Sequence, residues 1–162
     1  MYSEVFELHA ELLKALAHPR RLEIIHLLRD QALCVSDIYE MLDLPQANIS
    51  QHLMILRDAQ VVTAIRDGKQ VIYKLSNPKI IQASDMLREV LIDQHQESEL
   101  AEYLSMPMKD LVPVVHDPVC QMRVSPKTAG FSLQHGGAQY YFCASGCLKK
   151  FQQKPEKYVT NN

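Results

Sequence analysis

PQANISQHLMILRDAQVVTAIRDGKQVIYKL, residues 45–75, changes its hydrophobic period halfway along, and that change decides how the chain folds. In the first half Ile49, Leu53 and Leu56 recur every three or four residues, the repeat of one helix face, while Gln46, Ser50, Gln51 and Arg57 can point elsewhere. In the second half two runs rich in β-branched residues, Val61 to Arg66 and Gln70 to Leu75, flank Asp67-Gly68. That dipeptide favours a tight hairpin, because glycine accepts the positive φ such a turn requires. Upstream, Asp43-Leu44-Pro45 breaks a short helix that ends near Leu42 and can start at Ser36, whose hydroxyl is able to accept from free first-turn amides. A short helix, a tight turn, a second helix with a polar outer face and then a hairpin make a winged helix-turn-helix.

Helical spacing extends on both sides. Val5, Leu8, Leu12, Leu13 and Leu16 form one apolar face from Tyr2 to Leu16. His18-Pro19 ends that helix, and Pro19 suits the first turn of the next, which carries Leu22, Ile25, Leu27 and Leu28. Beyond the hairpin Asn77 can cap a helix from Pro78, where Ile80, Ile81, Ala83, Leu87, Val90, Leu91, Leu100 and Leu104 give apolar faces over more than 20 residues. A helix of that length cannot bury both sides on so small a domain, so a homodimer interface built with the first helix is expected. Ser105-Met106-Pro107-Met108 and Pro113 read as a linker. The expected class is mainly α with a small β wing, followed by a small α+β cysteine-bearing domain. The expected division is 1–104 for DNA binding and dimerisation, 105–115 for the linker and 116–162 for the second domain.

A cytoplasmic location is expected. No run of 18 apolar residues could span a bilayer, and Met-Tyr-Ser-Glu has neither the basic nor the apolar stretch of a secretory signal. Cys34, Cys120, Cys143 and Cys147 would be thiols there, available to metal or redox chemistry rather than to a disulfide framework. The net charge of -2 is unevenly spread: residues 1–76 carry 8 basic and 10 acidic side chains, residues 77–112 carry 3 and 7, and residues 113–162 carry 6 and 2. For a duplex the local basic surface counts, and Arg57, Arg66, Lys69 and Lys74 fall close together in the helix and wing. Paired carboxylates, a serine–histidine constellation and a glycine-rich phosphate loop are missing from any supporting context, which points away from an enzyme.

His18-Pro19-Arg20-Arg21-Leu22-Glu23-Ile24, Asn48-Ile49-Ser50-Gln51-His52-Leu53 and the Asp67-Gly68 wing, in that order, resemble the ArsR/SmtB family of winged helix-turn-helix regulators over roughly residues 5–100. The resemblance implies a homodimer that represses a promoter by holding double-stranded operator DNA and releases it when an inducer binds. Gln46, Asn48, Ser50, Gln51, His52 and Arg57 are the expected residues of the reading helix, with Arg66 and Lys69 as wing contacts to phosphate. His52, beside Leu53, can instead pack between helices. Three departures stand out. Ser36 occupies the place of a second cysteine near Leu33-Cys34-Val35, Asp93-Gln94-His95 supplies one half of a metal motif without its second pair, and Gln60 replaces a glycine before the wing. Cys34 alone reads as a core residue.

The tail supplies the missing sulfurs. Cys143 and Cys147 lie four residues apart, one helical turn, and Cys143 falls where the strand-like Tyr140-Tyr141-Phe142 becomes a helix. A helix start there is expected to favour thiolate. Cys120, in a turn set by Pro118, is the third sulfur. Three thiolates suit Cu(I) or Ag(I), whereas His135 or His116 as a fourth ligand would make a closed Zn(II) site. Asp117-Pro118-Val119-Cys120-Gln121-Met122, Tyr140 to Cys147, Phe151 and Pro155-Glu156-Lys157-Tyr158 resemble the YHS domain, related to TRASH domains, with Gln121 where glycine is usual. This resemblance implies a heavy-metal-binding module. The expected function is a metal-responsive repressor that a soft metal releases from DNA; a thiol redox or persulfide switch and a metal-buffering protein are the alternatives.

Overall fold

A computed structural model describes residues 2–112, 115–127 and 129–159, with the side chains of residues 109 and 110 outside the description. The chain divides into two compact units. The larger is built from the residues up to Val112 apart from Glu40–Asp43, and the smaller from the C-terminal residues with that four-residue segment.

The larger unit is a winged helix-turn-helix. Helices α1 (Tyr2–Leu16) and α2 (Pro19–Leu27) meet at His18, whose Nδ1 accepts from the Arg20 amide at 3.1 Å and so caps α2, with Pro19 at the first position. Strand β1 (Leu33–Cys34) leads into α3 (Val35–Leu42), and α4 (Gln46–Asp58) follows the Asp43 to Pro45 turn. The wing is β2 (Val62–Asp67) paired with β3 (Gln70–Leu75), with Gly68 at φ 58° in the turn. β1 pairs the other side of β3 through Leu33↔Tyr73 and Cys34↔Ile72, giving the antiparallel order β1-β3-β2. Ile24, Ile25, Leu27, Leu28, Ile38, Ile49, Leu53, Leu56 and Val61 are almost wholly buried, an apolar core formed mainly from one face each of α2, α3 and α4.

Two local readings change. Ser36 lies inside α3, and its hydroxyl meets Cys34 Sγ at 2.8 Å. The expected long last helix is α5 (Lys79–Gln94) followed by a break and then α6 (Ala101–Ser105) and α7 (Met108–Leu111), the last within the stretch expected to be a linker. The reason is tertiary. Arg88 on α5 donates to the carbonyls of Leu104 and Met106 at 2.9 and 2.6 Å, which holds the returning chain against α5. No residue of α5 is buried, and Met86, Leu87, Val90 and Leu91 stand exposed, as do Val5, Phe6 and Leu8 on α1.

The smaller unit pairs β4 (Val115–His116) with β5 (Arg123–Val124) and β6 (Phe131–His135) with β7 (Ala138–Phe142). Gly136 and Gly137, at φ 59° and 82°, make the two-residue turn between β6 and β7. Helix α8 (Ser145–Gln153) and a 3-10 turn (Pro155–Lys157) complete it. Its core is aromatic: buried Phe151 lies against the rings of Tyr140, Phe142, His135 and Tyr158 at 4.9, 5.2, 5.8 and 6.2 Å between centroids. No helix among the described residues is long and apolar enough to cross a membrane.

Candidate functional site

Two surfaces carry chemistry, one in each unit. On α4 the inward residues Ile49, Leu53 and Leu56 fix the helix's rotation, so the opposite side must face solvent. Gln46, Asn48, Ser50, Gln51 and Arg57 are all exposed there. Arg57 also lies 3.6 Å from the Asp58 carboxylate. His52 is turned inward: its ring sits 4.5 Å from that of His18, and its Nδ1 is buried with no hydrogen-bond partner. Burial, with His18, Arg21 and Arg20 nearby, lowers its pKa and keeps it neutral. At the wing tip Arg66 Nε donates to the Gly68 carbonyl at 3.3 Å, and Lys69 and Lys74 are exposed. Sequence reasoning passed over Met54, which stands 48% exposed among these polar groups. Its position one residue after buried Leu53 and two before buried Leu56 was the available signal.

The smaller unit brings the thiols together. Asp117 follows β4, and its backbone N–H donates to Met122 O at 2.8 Å, closing a turn that carries Cys120. Its side chain is fully buried and ties that turn to the end of β7: Oδ1 accepts from the Val119 and Cys120 amides at 2.8 and 3.4 Å, and Oδ2 accepts from the Cys143 amide at 2.9 Å. Cys147 sits in the first turn of α8. The result is Cys120 Sγ 3.5 Å from Cys143 Sγ, which is 3.7 Å from Cys147 Sγ. One donor atom from each of Asp117, Cys120, Cys143 and Cys147 lies within 4.8 Å of every other.

His135 is not in this group. Its ring is exposed and rests edge-on against Phe151, and the fourth side chain grouped with the sulfurs is Asp117, not the histidine named from sequence. The signal for Asp117 was its place two residues before Val119: an aspartate accepting from the amide two residues on is the Asx turn. Its tie to Cys143, 26 residues away, has no local signature.

The thiols also differ from expectation in charge. Burial pushes the Cys143 thiol far up, and the Asp117 carboxylate, which accepts from it, adds to the effect along with Cys120 and Cys147. Cys147 is raised too, by burial first. Burial raises Asp117, but the amides of Cys143 and Val119 and the thiols of Cys143 and Cys147 outweigh it, and its pKa is lowered. Asp117 therefore stands as a carboxylate beside two raised thiols, Cys143 and Cys147, because burial and the neighbouring negative charge both disfavour a thiolate there. The donor set fits a metal ion. Sulfurs about 2.3 Å from one ion stand about 3.8 Å apart in a tetrahedral and about 4.0 Å apart in a trigonal arrangement, near the 3.5 and 3.7 Å from Cys143 to Cys120 and Cys147.

Cys34 and His95 are engaged elsewhere. Cys34 is buried and bonded to Ser36, and His95 Nδ1 lies 2.9 Å from Leu91 O at the end of α5.

With this geometry in hand, the comparisons are specific. Residues 18–64 match the model of the arsR family of bacterial regulatory proteins, and residues 115–162 match the YHS domain. The transcriptional repressor PagR of Bacillus anthracis is 44% identical over 72 residues, 44% of this chain and 72% of PagR. The chain belongs to the arsR family. The HTH-type transcriptional repressor SmtB of Mycobacterium tuberculosis is 43% identical over 74 residues, 46% of this chain, and the match spans only 55% of that repressor's length. Among solved structures, a homodimeric winged helix-turn-helix DNA-binding domain from Mycobacterium bovis superposes with a TM-score of 0.52 at 26% identity, covering 59% of this chain and 87% of that one. These arsR-family similarities are to DNA-binding regulators and not to enzymes.

Proposed function

We propose that the chain is a homodimeric repressor that holds operator DNA through α4 and the wing and is released when Cu(I) or Ag(I) binds Cys120, Cys143 and Cys147. The observation that carries the reading is the convergence of three sulfurs around a carboxylate whose oxygens already accept three backbone amides. With Asp117 occupied in positioning, the set available to a metal is three thiols, which suits a soft monovalent ion better than the four ligands of structural zinc. A soft cation held by Cys120, Cys143 and Cys147 would supply the positive charge that makes thiolate the stable form there.

The remaining work falls to the protein. Gln46, Asn48, Ser50 and Gln51 have the reach to bond base edges or phosphates, and Arg66 and Lys69 to meet the backbone. The exposed apolar residues of α1 and α5 suit a second copy of the chain, and the M. bovis domain it resembles is homodimeric. Arg88 ties the segment after α5 to that helix, so strain arriving along the chain from Met106 onward bears on the element that sets the spacing of the two reading heads. A coupling of about 1–3 kcal/mol would change operator affinity roughly 5- to 150-fold.

A second reading has its own observation. The 3.5 Å between Cys120 and Cys143 sulfurs is short enough that a small shift would allow a disulfide, which makes the same thiols a candidate redox switch. One experiment separates the two. Anaerobic titration of DNA binding with Cu(I) or Ag(I), beside titration with a hydroperoxide or a persulfide donor, is run on the native chain and on Cys120→Ser, Cys143→Ser and Cys147→Ser. The metal reading expects each serine to abolish the metal response with metal-free DNA binding intact. A response to oxidant alone would replace it with the redox reading.

A further inference from the structure

We infer that the C-terminal unit carries a second DNA contact, a lysine face on α8 and the 3-10 turn that binds duplex phosphates without reading sequence; this rests on the DNA-binding reading above. Charge is divided in an unusual way for a DNA-binding protein. Residues 1–112, which contain the helix-turn-helix, hold 11 basic and 17 acidic side chains, whereas residues 113–162 hold 6 and 2. A duplex carries about one negative charge per 1.7 Å, and sequence-independent affinity comes from cations that displace its counterions. The unit that reads bases is thus net acidic, and the excess of cations lies in the other unit.

Those cations are placed for a surface role. Lys149, Lys150, Lys154 and Lys157 fall within nine residues and are all exposed. The inner side of α8 is taken by buried Phe151 and half-buried Cys147 and Leu148, which leaves the lysines on the solvent side, interleaved with exposed Gln152 and Gln153. Among the described residues no carboxylate pairs with any of the four, and Lys157 makes only a contact over the Tyr158 ring at 5.6 Å. Of the two acidic residues in 113–162, Asp117 is buried against backbone amides, so Glu156 is the one left to offset them. Of the α4 and wing cations, Arg57 pairs with Asp58 and Arg66 folds back onto Gly68, which leaves Lys69 and Lys74 as the exposed lysines of that surface. Cations without partners, amide donors between them and a polyanionic ligand already assigned to the chain make phosphate the fitting partner.

The test uses the full chain, metal-free, with a duplex it selects from random-sequence DNA and a scrambled duplex of the same length. The variant is Lys149→Gln/Lys150→Gln/Lys154→Gln/Lys157→Gln, with Ag(I) stoichiometry as the check that the unit remains folded. The expected result is that the slope of log K against log salt flattens by about 0.9 for each phosphate the variant no longer neutralises. Both duplexes should weaken by the same factor, and Lys149→Arg/Lys150→Arg/Lys154→Arg/Lys157→Arg should keep the native slope. If the quadruple variant loses Ag(I) binding, the two pairs Lys149→Gln/Lys150→Gln and Lys154→Gln/Lys157→Gln are read separately, each expected to remove part of the slope. An unchanged slope in a variant that still selects its duplex overturns the inference. A native chain that selects no duplex at all overturns the DNA reading instead, so the two failures are distinguishable.

Discussion

The two units solve the same problem, holding a functional surface still, with opposite materials. In the helix-turn-helix unit Ile24, Ile25, Leu27, Ile38, Ile49, Leu53, Leu56 and Val62, on α2, α3, α4 and β2, are buried, and the reading helix is fixed by what lies beneath it. Among the described C-terminal residues the buried set is Phe142 and Phe151 with the polar Asp117 and Ser125, and the site is fixed by a carboxylate that spans two distant segments. A unit of about 48 residues buries too little apolar surface to be robust on that account alone, which is where small domains recruit a metal or a polar hub. Regulation fits the weaker unit, because a ligand shifts most easily what is least stable on its own.

The sharpest way to break the comparison is to remove one buried side chain from each core. Phe151→Ala should cost about 3–5 kcal/mol and Leu53→Ala about 2–5 kcal/mol. The first is expected to unfold the cysteine unit and leave the helix-turn-helix unit cooperative, whereas the second leaves a folded but weakened protein. Two resolved thermal transitions, followed by far-ultraviolet circular dichroism and by thiol reactivity, check this; equal losses in both transitions would show that the units share one core.

Next in size is the metal. Ag(I) at a hundred times its dissociation constant should stabilise the cysteine unit by about 2.7 kcal/mol, and chelation should return it to the starting value. The helix-turn-helix transition should not move. Calorimetry of the anaerobic protein with and without Ag(I) reads both, and a shift in the upper transition alone would place the ion outside the thiol site.

The contrast also explains what the sequence disclosed. The larger unit follows local rules: three-four spacing for α1 and α4, Pro19 at a helix start and Asp67-Gly68 in a hairpin all announce themselves within a few residues. Where it departs from them, a long-range group is responsible, since the end of α5 depends on Arg88 reaching carbonyls 16 and 18 residues later. β1, two residues long, carries no period at all. In the smaller unit the sulfurs were legible from spacing, but Asp117 and the exclusion of His135 depend on contacts across 16 to 26 residues. The raised pKa of Cys143 has no local signature either, because the burial that raises it and the Asp117 carboxylate that adds to it both come from segments remote in sequence.

Acid should separate the units in a smaller way. Burial lowers the pKa of His26, which meets Ser84 through Nε2 at 3.0 Å, against the opposing pull of Asp85. A histidine with a depressed folded pKa binds its proton more readily unfolded, so its contribution is complete above pH 6.5 and fades as pH falls below that value. Asp117 is depressed relative to 3.8, so its contribution persists until pH falls below that. Between pH 6.5 and 5 the metal-free helix-turn-helix unit should weaken while the cysteine unit holds, and His26→Gln should blunt the loss. Denaturant midpoints across that range decide it, with parallel loss in both units as the contrary result.

The smallest expected effect asks the same question of both units. Gln60, between α4 and β2, and Gln121, in the cysteine turn, stand where the resembled families have glycine, and both adopt the left-handed region at φ 58° and 63°. A side chain there crowds its own backbone by about 1–2 kcal/mol, which glycine avoids. Glycine in turn enlarges the unfolded ensemble, at a cost of about 0.4–1 kcal/mol. Gln60→Gly should therefore stabilise the larger unit by about 0.5–1 kcal/mol. Gln121→Gly should do less, because it also loses the bond from Gln121 Nε2 to Pro118 O at 3.3 Å. Equilibrium unfolding of the two single variants measures the difference. A larger gain at 121 than at 60 would mean that the cysteine turn is strained beyond its φ alone, and that metal-free protein holds this turn against a preference its sequence does not share.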